Sequence, residues 1–278
     1  MTASPVGTER SVEELETIAH FLRRRMLRMA ADKGEGYIAQ GLGVADILST
    51  VYFRELRFDP SRLDAPDRDR FILSTGHYSI ALYAVLAELG VFTDEDLATY
   101  ALNGSALPMS TFDETPGVEI TSGSLGHGLG QAVGMALAFR LDELDAKVVV
   151  ETSDGELQEG STWEAAMAGA NFALDNLWVV VDCNGIQADG PMVIDIEPVA
   201  AKWQAFGWNV AEVDGNDVAA LVDAFDRLRG TRGPKVVVAR TTPGQGVPTL
   251  VARERAHFVR VADDEWSRLI DELEASRG

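Results

Sequence analysis

Short apolar runs alternate with longer segments of helical periodicity along this chain. The apolar runs predict strands at 70–73, 147–152, 177–182, 208–213 and 235–240. The remaining periodic segments carry apolar residues every three or four positions, which predicts helices. These helices are expected at 11–31, 44–56, 79–89, 126–144, 161–173, 195–206, 217–228 and 263–275. Strands that are apolar throughout are buried on both faces, so the pattern predicts an α/β fold, a doubly wound parallel sheet with helices on both faces.

The same pattern indicates how the chain is divided into domains. Neither an internal repeat nor a low-complexity linker interrupts the sequence. We therefore expect a single domain over residues 1–278, with the early helices as an N-terminal elaboration. The segment 103–121 contains Pro108 and Pro116 and few periodic apolar residues. It is predicted to be a loop, and a loop of that length in a compact domain is often functional.

The first predicted helix carries two further expectations. Ser11 and Glu14 have the spacing of a capping box, which predicts the point at which the helix begins. His20 is followed by three arginines at 23–25. We expect this polar run, including His20, to form a solvated or interface face of the helix.

Composition and charge exclude several classes of protein. Hydrophobic residues make up 46% of the chain, which is enough to bury a sizeable core. The formal net charge of −20 disfavours binding to nucleic acid or to an anionic membrane surface, because both need clustered basic side chains. The single cysteine, Cys183, excludes an internal disulfide framework and a cysteine-built zinc site. Because the sequence shows neither a transmembrane stretch nor a signal-peptide core, we expect a cytoplasmic protein.

Two glycine-containing segments that follow successive apolar strands carry candidate ligands. Asp154 follows the strand at 147–152, and Asn184 follows the strand at 177–182. A strand–helix–strand unit brings the two strand ends side by side, so a carboxylate and an amide oxygen converge. Such oxygens suit Mg²⁺ or Ca²⁺, and Mg²⁺ is commonly held together with phosphate oxygens. Gly155 opens a helical segment whose N-terminus favours an anion, so these residues predict a metal-bridged diphosphate. The alternative is ordinary turn chemistry, since Asp-Gly and Asn-Gly are common turn formers.

Four motifs of this sequence resemble those of transketolases and occur in the same order. They are GLGVADIL, RFILSTGHYSIALYAVLAELG, TPGVEITSGSLGHGLGQAVGMALA and SDGELQEGSTWEAAMAGANFALDNLWVVVDCNGIQADG. The last of them resembles the thiamine-diphosphate signature of that family. The resemblance extends over nearly the whole chain but matches only the N-terminal, diphosphate-binding half of a transketolase. It implies a thiamine-diphosphate-binding fold and a partner subunit that supplies the C-terminal, pyrimidine-binding half with the glutamate that activates the cofactor.

The resemblance also implies roles for individual residues. The metal would be held by Asp154, Asn184 and the backbone carbonyl of Ile186. The residues expected at the cofactor are His77, Gly123, Leu125, Ser153, Asp154, Gly155, Glu156, Asn184 and Ile186. The catalytic candidates are His77, His257 and Glu159, of which Glu159 would face the partner's catalytic glutamate. Other interpretations stay open: His77 could be a satisfied buried histidine, and Glu156 and Glu159 could complement a helix dipole.

The sequence departs from the family pattern in the substrate region. Tyr37 and Ser110 stand where transketolases carry histidines that contact the hydroxyls of the sugar, and His127 stands in place of a glutamine. Ser153 stands where the family usually has glycine. The cofactor motif therefore matches the family while part of the substrate motif does not. This combination indicates a specialised enzyme and argues against a housekeeping pentose-phosphate enzyme.

The expected function is transfer of a two-carbon ketol unit from a ketose donor to an acceptor, with thiamine diphosphate and Mg²⁺ (or Ca²⁺) as cofactors. The enzyme would be active only with its partner subunit, in a heterotetramer with two copies of each half. Two alternatives remain open at this point. One is decarboxylating transfer from a 2-oxo acid such as pyruvate, which the residues at Tyr37 and Ser110 motivate. The other is a scaffold subunit that binds the cofactor without catalysis.

Overall fold

Nine strands are present in the computed structural model of this chain, which describes residues 10–188 and 190–276. They are β1 (Glu35–Gly36), β2 (Arg70–Leu73), β3 (Val148–Ser153), β4 (Leu177–Cys183), β5 (Ile186–Gln187), β6 (Gly190–Pro191), β7 (Asn209–Asp214), β8 (Lys235–Arg240) and β9 (Val259–Arg260). Five of them form one sheet in the order β2-β3-β4-β8-β7, and every neighbouring pair is parallel. The five strands predicted from the apolar runs are these five, each within one residue of its predicted ends.

Eleven α-helices are present in the described residues. They are α1 (Val12–Lys33), α2 (Ile38–Gly43), α3 (Ala45–Thr50), α4 (Ser79–Glu88), α5 (Asp94–Leu97), α6 (Gly128–Leu141), α7 (Gly160–Asn171), α8 (Val199–Ala205), α9 (Val218–Arg229), α10 (Pro248–Val251) and α11 (Trp266–Ala275). The helix predicted at 44–56 is α3 followed by a π-helical turn, Val51–Glu55. The loop predicted at 103–121 is confirmed, because no helix or strand falls in it.

The helix predicted at 195–206 begins later than expected, at α8. The amide of Glu197 donates to the carboxylate of Asp195 at 2.9 Å, and the amide of Val199 donates to the carboxylate of Glu197 at 2.8 Å. These local bonds give the backbone an alternative to a helical turn. The helix therefore starts only after Pro198.

Helices cover both faces of the sheet. Along β4, Trp178 and Val180 point into a core shared with α1, α3, α4, α9 and α11. Val179 and Val181 point into a second core shared with α6, α7 and α8. Because successive side chains of a strand alternate between faces, one strand serves both cores. The predicted fold class, a doubly wound parallel sheet between two helical layers, is confirmed.

The expectation that His20 is a surface residue was wrong, while the polar run of α1 is only partly covered, because Arg24 and Arg25 stay partly exposed. His20 is only 7% exposed, and its Nε2 lies 3.4 Å from Glu274 Oε2 on α11. Arg23 is also buried, and its guanidinium pairs with Asp46 and donates to the carbonyl of Leu42 at 3.0 Å. Helix α11 packs against α1, so a face that looks polar in sequence is partly covered in the fold. The capping box of Ser11 and Glu14 is present as predicted.

A pair of two-residue strands joins the beginning of the chain to its C-terminal part. Strands β1 and β9 are antiparallel, with Gly36 opposite Val259. The side chain of Gln40 donates to the carbonyl of His257 at 2.9 Å, which strengthens the same junction. The residue after β1, Tyr37, is thereby held beside His257. No helix among residues 10–188 and 190–276 has the length and apolar character needed to cross a membrane.

Candidate active site

A cleft of about 360 Å³ lies at the carboxyl ends of the central strands, where parallel α/β sheets bind their ligands. Its size is within the range of small-molecule sites. Of the residues singled out from the sequence, the cleft is lined by Tyr37, His77, Ser110, Gly123, Leu125, Ser153, Gly155, Glu159, Ile186 and His257. Residues from the beginning, middle and end of the chain therefore meet at one place.

Asp154 is 5% exposed and lies between Ser153 and Gly155, which both line this cleft. Strands β3 and β4 pair with Ser153 opposite Asp182, so the segments that follow them leave the sheet at the same level. One carboxylate oxygen of Asp154 accepts from the amide of Gly155 at 2.8 Å, and the other accepts from the amide of Gly185 at 2.7 Å. Burial raises the pKa of Asp154, while these two amides act to lower it. The carboxylate thus ties the two predicted ligand segments together.

Asn184 follows the end of the neighbouring strand β4, is 9% exposed and is not among the residues that line the cleft. Its Nδ2 donates to Asp182 Oδ2 at 2.6 Å and to the hydroxyl of Tyr78 at 2.9 Å. Its Oδ1 accepts from the amide of Ile186 at 3.0 Å. A Cβ placed on Gly155 would lie 4.0 Å from the carbonyl oxygen of Ile186, so that carbonyl borders the Asp154–Gly155 turn.

These donors fit a hard divalent cation. The candidate set consists of one carboxylate, one amide oxygen and one backbone carbonyl, and all three are oxygen ligands of the kind that Mg²⁺ and Ca²⁺ prefer. Neither oxygen of Asp154 accepts a hydrogen bond from a basic side chain of the described residues. Among all the described residues, this site included, no group of three or more His, Cys, Asp or Glu side chains could hold a metal ion.

Glu156 does not line the cleft, although it was predicted to contact the cofactor. It is buried, and its Oε1 accepts from the amide of Gly126 at 2.6 Å and from the hydroxyl of Ser74 at 2.5 Å. Its Oε2 accepts from the hydroxyl of Thr152 at 2.5 Å. Ser74 in turn accepts from the amide of Gly128 at 3.1 Å. The carboxylate therefore clamps the glycine-rich segment before α6 onto the ends of β2 and β3, beneath the cleft.

An aromatic and imidazole wall closes one side of the cleft. The ring of Tyr37 contacts those of His77, His257 and Phe258, with centroid separations of 4.8, 5.3 and 5.1 Å. The two imidazoles lie 5.3 Å apart. Burial, and to a smaller extent the neighbouring His257, lower the pKa of His77 to about 3. His77 is therefore neutral at physiological pH and can accept or donate a hydrogen bond without adding positive charge.

The low pKa of His77 predicts a specific pH dependence of stability. Between about pH 6.5 and pH 3, the unfolded chain binds a proton at His77 that the folded chain does not. The contribution of neutral His77 is therefore complete above pH 6.5 and is lost as the pH falls towards 3. The non-titrating variant His77→Asn is expected to gain stability relative to the unsubstituted chain over that window. Denaturant unfolding at pH 8, 6, 5 and 4 checks this. If the difference in the free energy of unfolding between the two chains does not change with pH, the folded chain binds the proton as well.

Two further predicted residues lie outside this wall. Glu159 lines the cleft and is exposed. A Cβ on Gly126 would lie 2.6 Å from that of Glu159, and Gly126 has a φ of +82°, so this turn requires glycine. His127 is exposed, precedes α6 and makes no side-chain cap with it.

Comparison with known proteins identifies the family. Residues 16–274 match the family described as transketolase, thiamine diphosphate binding domain. The chain belongs to the transketolase family. It corresponds to the N-terminal, thiamine-diphosphate-binding part, as the resemblance of the motifs implied.

Relatives of this transketolase-family chain include separate subunits and full-length enzymes. A protein of Sinorhizobium fredii named as a transketolase family protein is 50% identical over 262 residues, covering 92% of this chain and 94% of that protein. An apulose-4-phosphate transketolase subunit of Actinobacillus succinogenes is 39% identical over 267 residues, covering 95% and 97% of the two chains. The transketolase of Campylobacter jejuni has a similar structure, with a TM-score of 0.88 and 28% identity over 96% of this chain. This chain spans only 43% of that transketolase.

Four residues of this transketolase-family cleft were missed in the sequence. They are Tyr78, Gln158, Gln187 and Ala188. Gln158 Nε2 donates to Gln187 Oε1 at 2.8 Å and so joins the segment after β3 to the β5–β6 hairpin. Nothing in the spacing marks this contact, because the hairpin consists of two-residue strands. Tyr78 carried a usable signal, since it directly follows His77 in a segment that leaves a buried strand.

Proposed function

We propose that this chain is the diphosphate-binding subunit of a split transketolase that transfers a two-carbon ketol unit from a ketose donor to an acceptor in a specialised pathway. One observation carries the proposal: the hydrogen bond from Gly185 to Asp154 joins the two predicted ligand segments beside a cleft whose wall contains His77 and His257. A relative of similar length is named as one subunit of an apulose-4-phosphate transketolase, which supports a separate N-terminal chain.

The residues of the cleft suit thiamine diphosphate bound through a cation. Asp154, Asn184 and the carbonyl of Ile186 would hold Mg²⁺ (or Ca²⁺), and Ser153 and Gly155 would lie at the diphosphate. Gly123 and Leu125 would lie against the rings of the cofactor. When bound, thiamine diphosphate supplies the carbon nucleophile on which the two-carbon unit is carried.

The histidines of the wall would act on the donor. Neutral His77 has a free-base nitrogen, so it can accept a hydrogen bond from a donor hydroxyl, and the ring centroid of His257 lies 5.3 Å from that of His77 on the same wall. The aromatic ring of Tyr37 packs edge-on against both imidazoles and helps to hold them in place.

A partner subunit would complete the site. The partner would be a C-terminal, pyrimidine-binding transketolase subunit, and we propose a heterotetramer with two copies of each. Glu159, which is exposed and lines the cleft, would face that partner. We further propose that residues 1–278 act as one thiamine-diphosphate-binding domain in the cytoplasm, which agrees with the single cysteine.

Calorimetric titration tests the cofactor and the partner together. Thiamine diphosphate with Mg²⁺ is titrated into this chain alone and into its complex with the C-terminal-half subunit. We expect saturable binding in the complex, with weaker or no binding to the chain alone. Absence of binding in both settings would contradict the proposal.

A donor screen separates ketol transfer from the 2-oxo-acid alternative. That alternative has a specific motivation, because Tyr37 and Ser110 line the cleft at positions where transketolases carry histidines. The assembled enzyme is supplied with a ketose phosphate or with pyruvate, each together with an aldose acceptor. We expect an aldose co-product from the ketose and no carbon dioxide from pyruvate. Release of carbon dioxide from pyruvate at the faster rate would favour the alternative.

A further inference from the structure

Tyr78 connects the two ends of the cleft. Its hydroxyl lies 3.1 Å from Asp182 Oδ2 and 2.9 Å from Asn184 Nδ2, and its ring packs edge-on against His77 at 4.6 Å. It is only 2% exposed, although it contributes to the lining of the cleft. One buried side chain therefore touches both a candidate metal ligand and a candidate catalytic histidine.

The hydroxyl of Tyr78 controls which end of the Asn184 amide is available. A phenol has one proton, and Tyr78 donates it to the Asp182 carboxylate, so its oxygen must accept from Asn184 Nδ2. Asp182 Oδ2 accepts from the same nitrogen at 2.6 Å. Two acceptors thus hold the nitrogen end of the amide. Reversing the amide would place its oxygen against two oxygens, so Oδ1 is the end left for a cation.

Asp182 is itself held firmly in this arrangement. Its Oδ1 accepts from the hydroxyl of Thr241, and its backbone carbonyl accepts from the amide of Asp154 at 3.0 Å. Asp182 is fully buried on β4. Tyr78, Asp182 and Thr241 therefore form a continuous support that runs from the end of β2, across β4, to the segment after β8.

We propose that Tyr78 is a positioning residue for the metal site: its hydroxyl fixes the Asn184 amide with the oxygen towards the cation, and its ring holds His77 in the wall of the cleft. The inference rests on the proposed function, since it takes Asn184 as a ligand of the cation that anchors the diphosphate. Partners that orient metal ligands typically change metal affinity by about 10- to 100-fold when they are removed.

The test follows Mg²⁺ binding directly, in the complex with the partner subunit. Tyr78→Phe removes the hydroxyl and keeps the ring. At saturating thiamine diphosphate, we expect the Mg²⁺ concentration for half-maximal binding, read by calorimetry, to rise about tenfold or more. Saturating Mg²⁺ should restore most of kcat in this variant, because His77 still has its neighbour. Tyr78→Leu removes the ring as well, and its kcat should stay low at any Mg²⁺ concentration.

Tyr83→Phe is the matched control. Tyr83 is also buried, further along on α4, and its hydroxyl donates to the carbonyl of Pro108 at 3.0 Å. This variant also loses the hydrogen bond of a buried tyrosine hydroxyl, so its Tm should fall while its Mg²⁺ midpoint stays unchanged. An equal midpoint in Tyr78→Phe and the unsubstituted complex would overturn the inference. Equal shifts in both phenylalanine variants would overturn it too.

Thr241→Val tests the support formed by Tyr78, Asp182 and Thr241 at its Thr241 end. It replaces the first test if Tyr78→Phe does not fold. It removes the hydroxyl that holds Asp182 Oδ1 and leaves Tyr78 in place. We expect a higher Mg²⁺ midpoint, and an unchanged midpoint would contradict the inference. If the unsubstituted complex binds no Mg²⁺ with thiamine diphosphate, the proposed function fails, and the role of Tyr78 fails with it. Normal binding by the unsubstituted complex with no effect of either variant overturns the role of Tyr78 alone.

Discussion

Replacing Asp154 with asparagine is expected to abolish binding of thiamine diphosphate with Mg²⁺, by at least about 100-fold in affinity, and to abolish ketol transfer with it. The substitution removes the only carboxylate of the candidate ligand set. It also disrupts a hydrogen bond, because both oxygens of Asp154 accept from backbone amides, of Gly155 and Gly185, and an asparagine can offer only one oxygen. Calorimetry on the assembled complex measures the binding, and a coupled assay measures the transfer.

Asp223→Asn is the control for this prediction. Asp223 is an exposed carboxylate on α9 that pairs with Arg227 one turn later, so its loss changes the net charge by the same amount without touching the cleft. We expect normal binding and activity in this variant. If the Asp154→Asn complex binds thiamine diphosphate and Mg²⁺ with an affinity within about threefold of that of the unsubstituted complex, Asp154 is not a metal ligand. Unchanged turnover in a complex that no longer binds the cofactor would support the scaffold alternative.

Replacing Asp46 with alanine is expected to lower the free energy of unfolding by about 3–5 kcal/mol. Asp46 is buried on α3 and accepts from both terminal nitrogens of the buried Arg23 guanidinium and from Asn216 Nδ2. Removing the carboxylate leaves a buried charge without its partner, which costs more than the net value of the pair. Denaturant unfolding measures the change.

Asp67→Ala provides the surface comparison. The pair of Arg62 and Asp67 is exposed on both sides, at 3.3 Å, and an exposed pair is worth about 0–1 kcal/mol. A destabilisation of Asp46→Ala no larger than that of Asp67→Ala would contradict the prediction. The double variant Arg23→Met/Asp46→Leu removes both charges and is expected to recover most of the lost stability. Asn216, which donates to this carboxylate, also donates to the carbonyl of Gly43 at the end of α2 at 2.8 Å.

The strands, and the two turns that carry Asp154 and Asn184, could be predicted because each is marked by residues that are contiguous in the sequence. The runs at 147–152 and 177–182 are apolar throughout, and each is followed at once by a polar turn that contains glycine. A strand–helix–strand unit fixes where two such turns meet, so the convergence of Asp154 and Asn184 followed from the order of elements alone. The motifs added the family, because a motif is also a local signal. The roles of these residues toward metal and cofactor remain predictions.

Other residues of the site depended on contacts that have no local signal. Glu156 lies in the middle of the recognised motif, yet its carboxylate supports the segment at Gly126 because Ser74 and Thr152 surround it in the fold. His20 looks like a surface residue until α11 covers it, and Arg23 looks like one until it pairs with Asp46 on α3. The hydroxyl of Tyr78, which follows β2, donates to Asp182 on β4, with β3 between the two strands. The residue spacing within either segment does not predict this hydrogen bond.

By itself, the sequence determined the parallel sheet, the two helical layers, the diphosphate end of the cleft and the family. Each of these follows from periodicity, from turn residues directly after strands, or from motif order, and all are properties of contiguous stretches of chain. Only the tertiary structure decided which polar groups line the cleft and which support it from below. Pairing of β1 with β9 places Tyr37 on His257, and burial then makes His77 neutral. Those outcomes depend on which remote segments pack together and on how far they bury His77 from water. Neither can be predicted from a single contiguous stretch of residues.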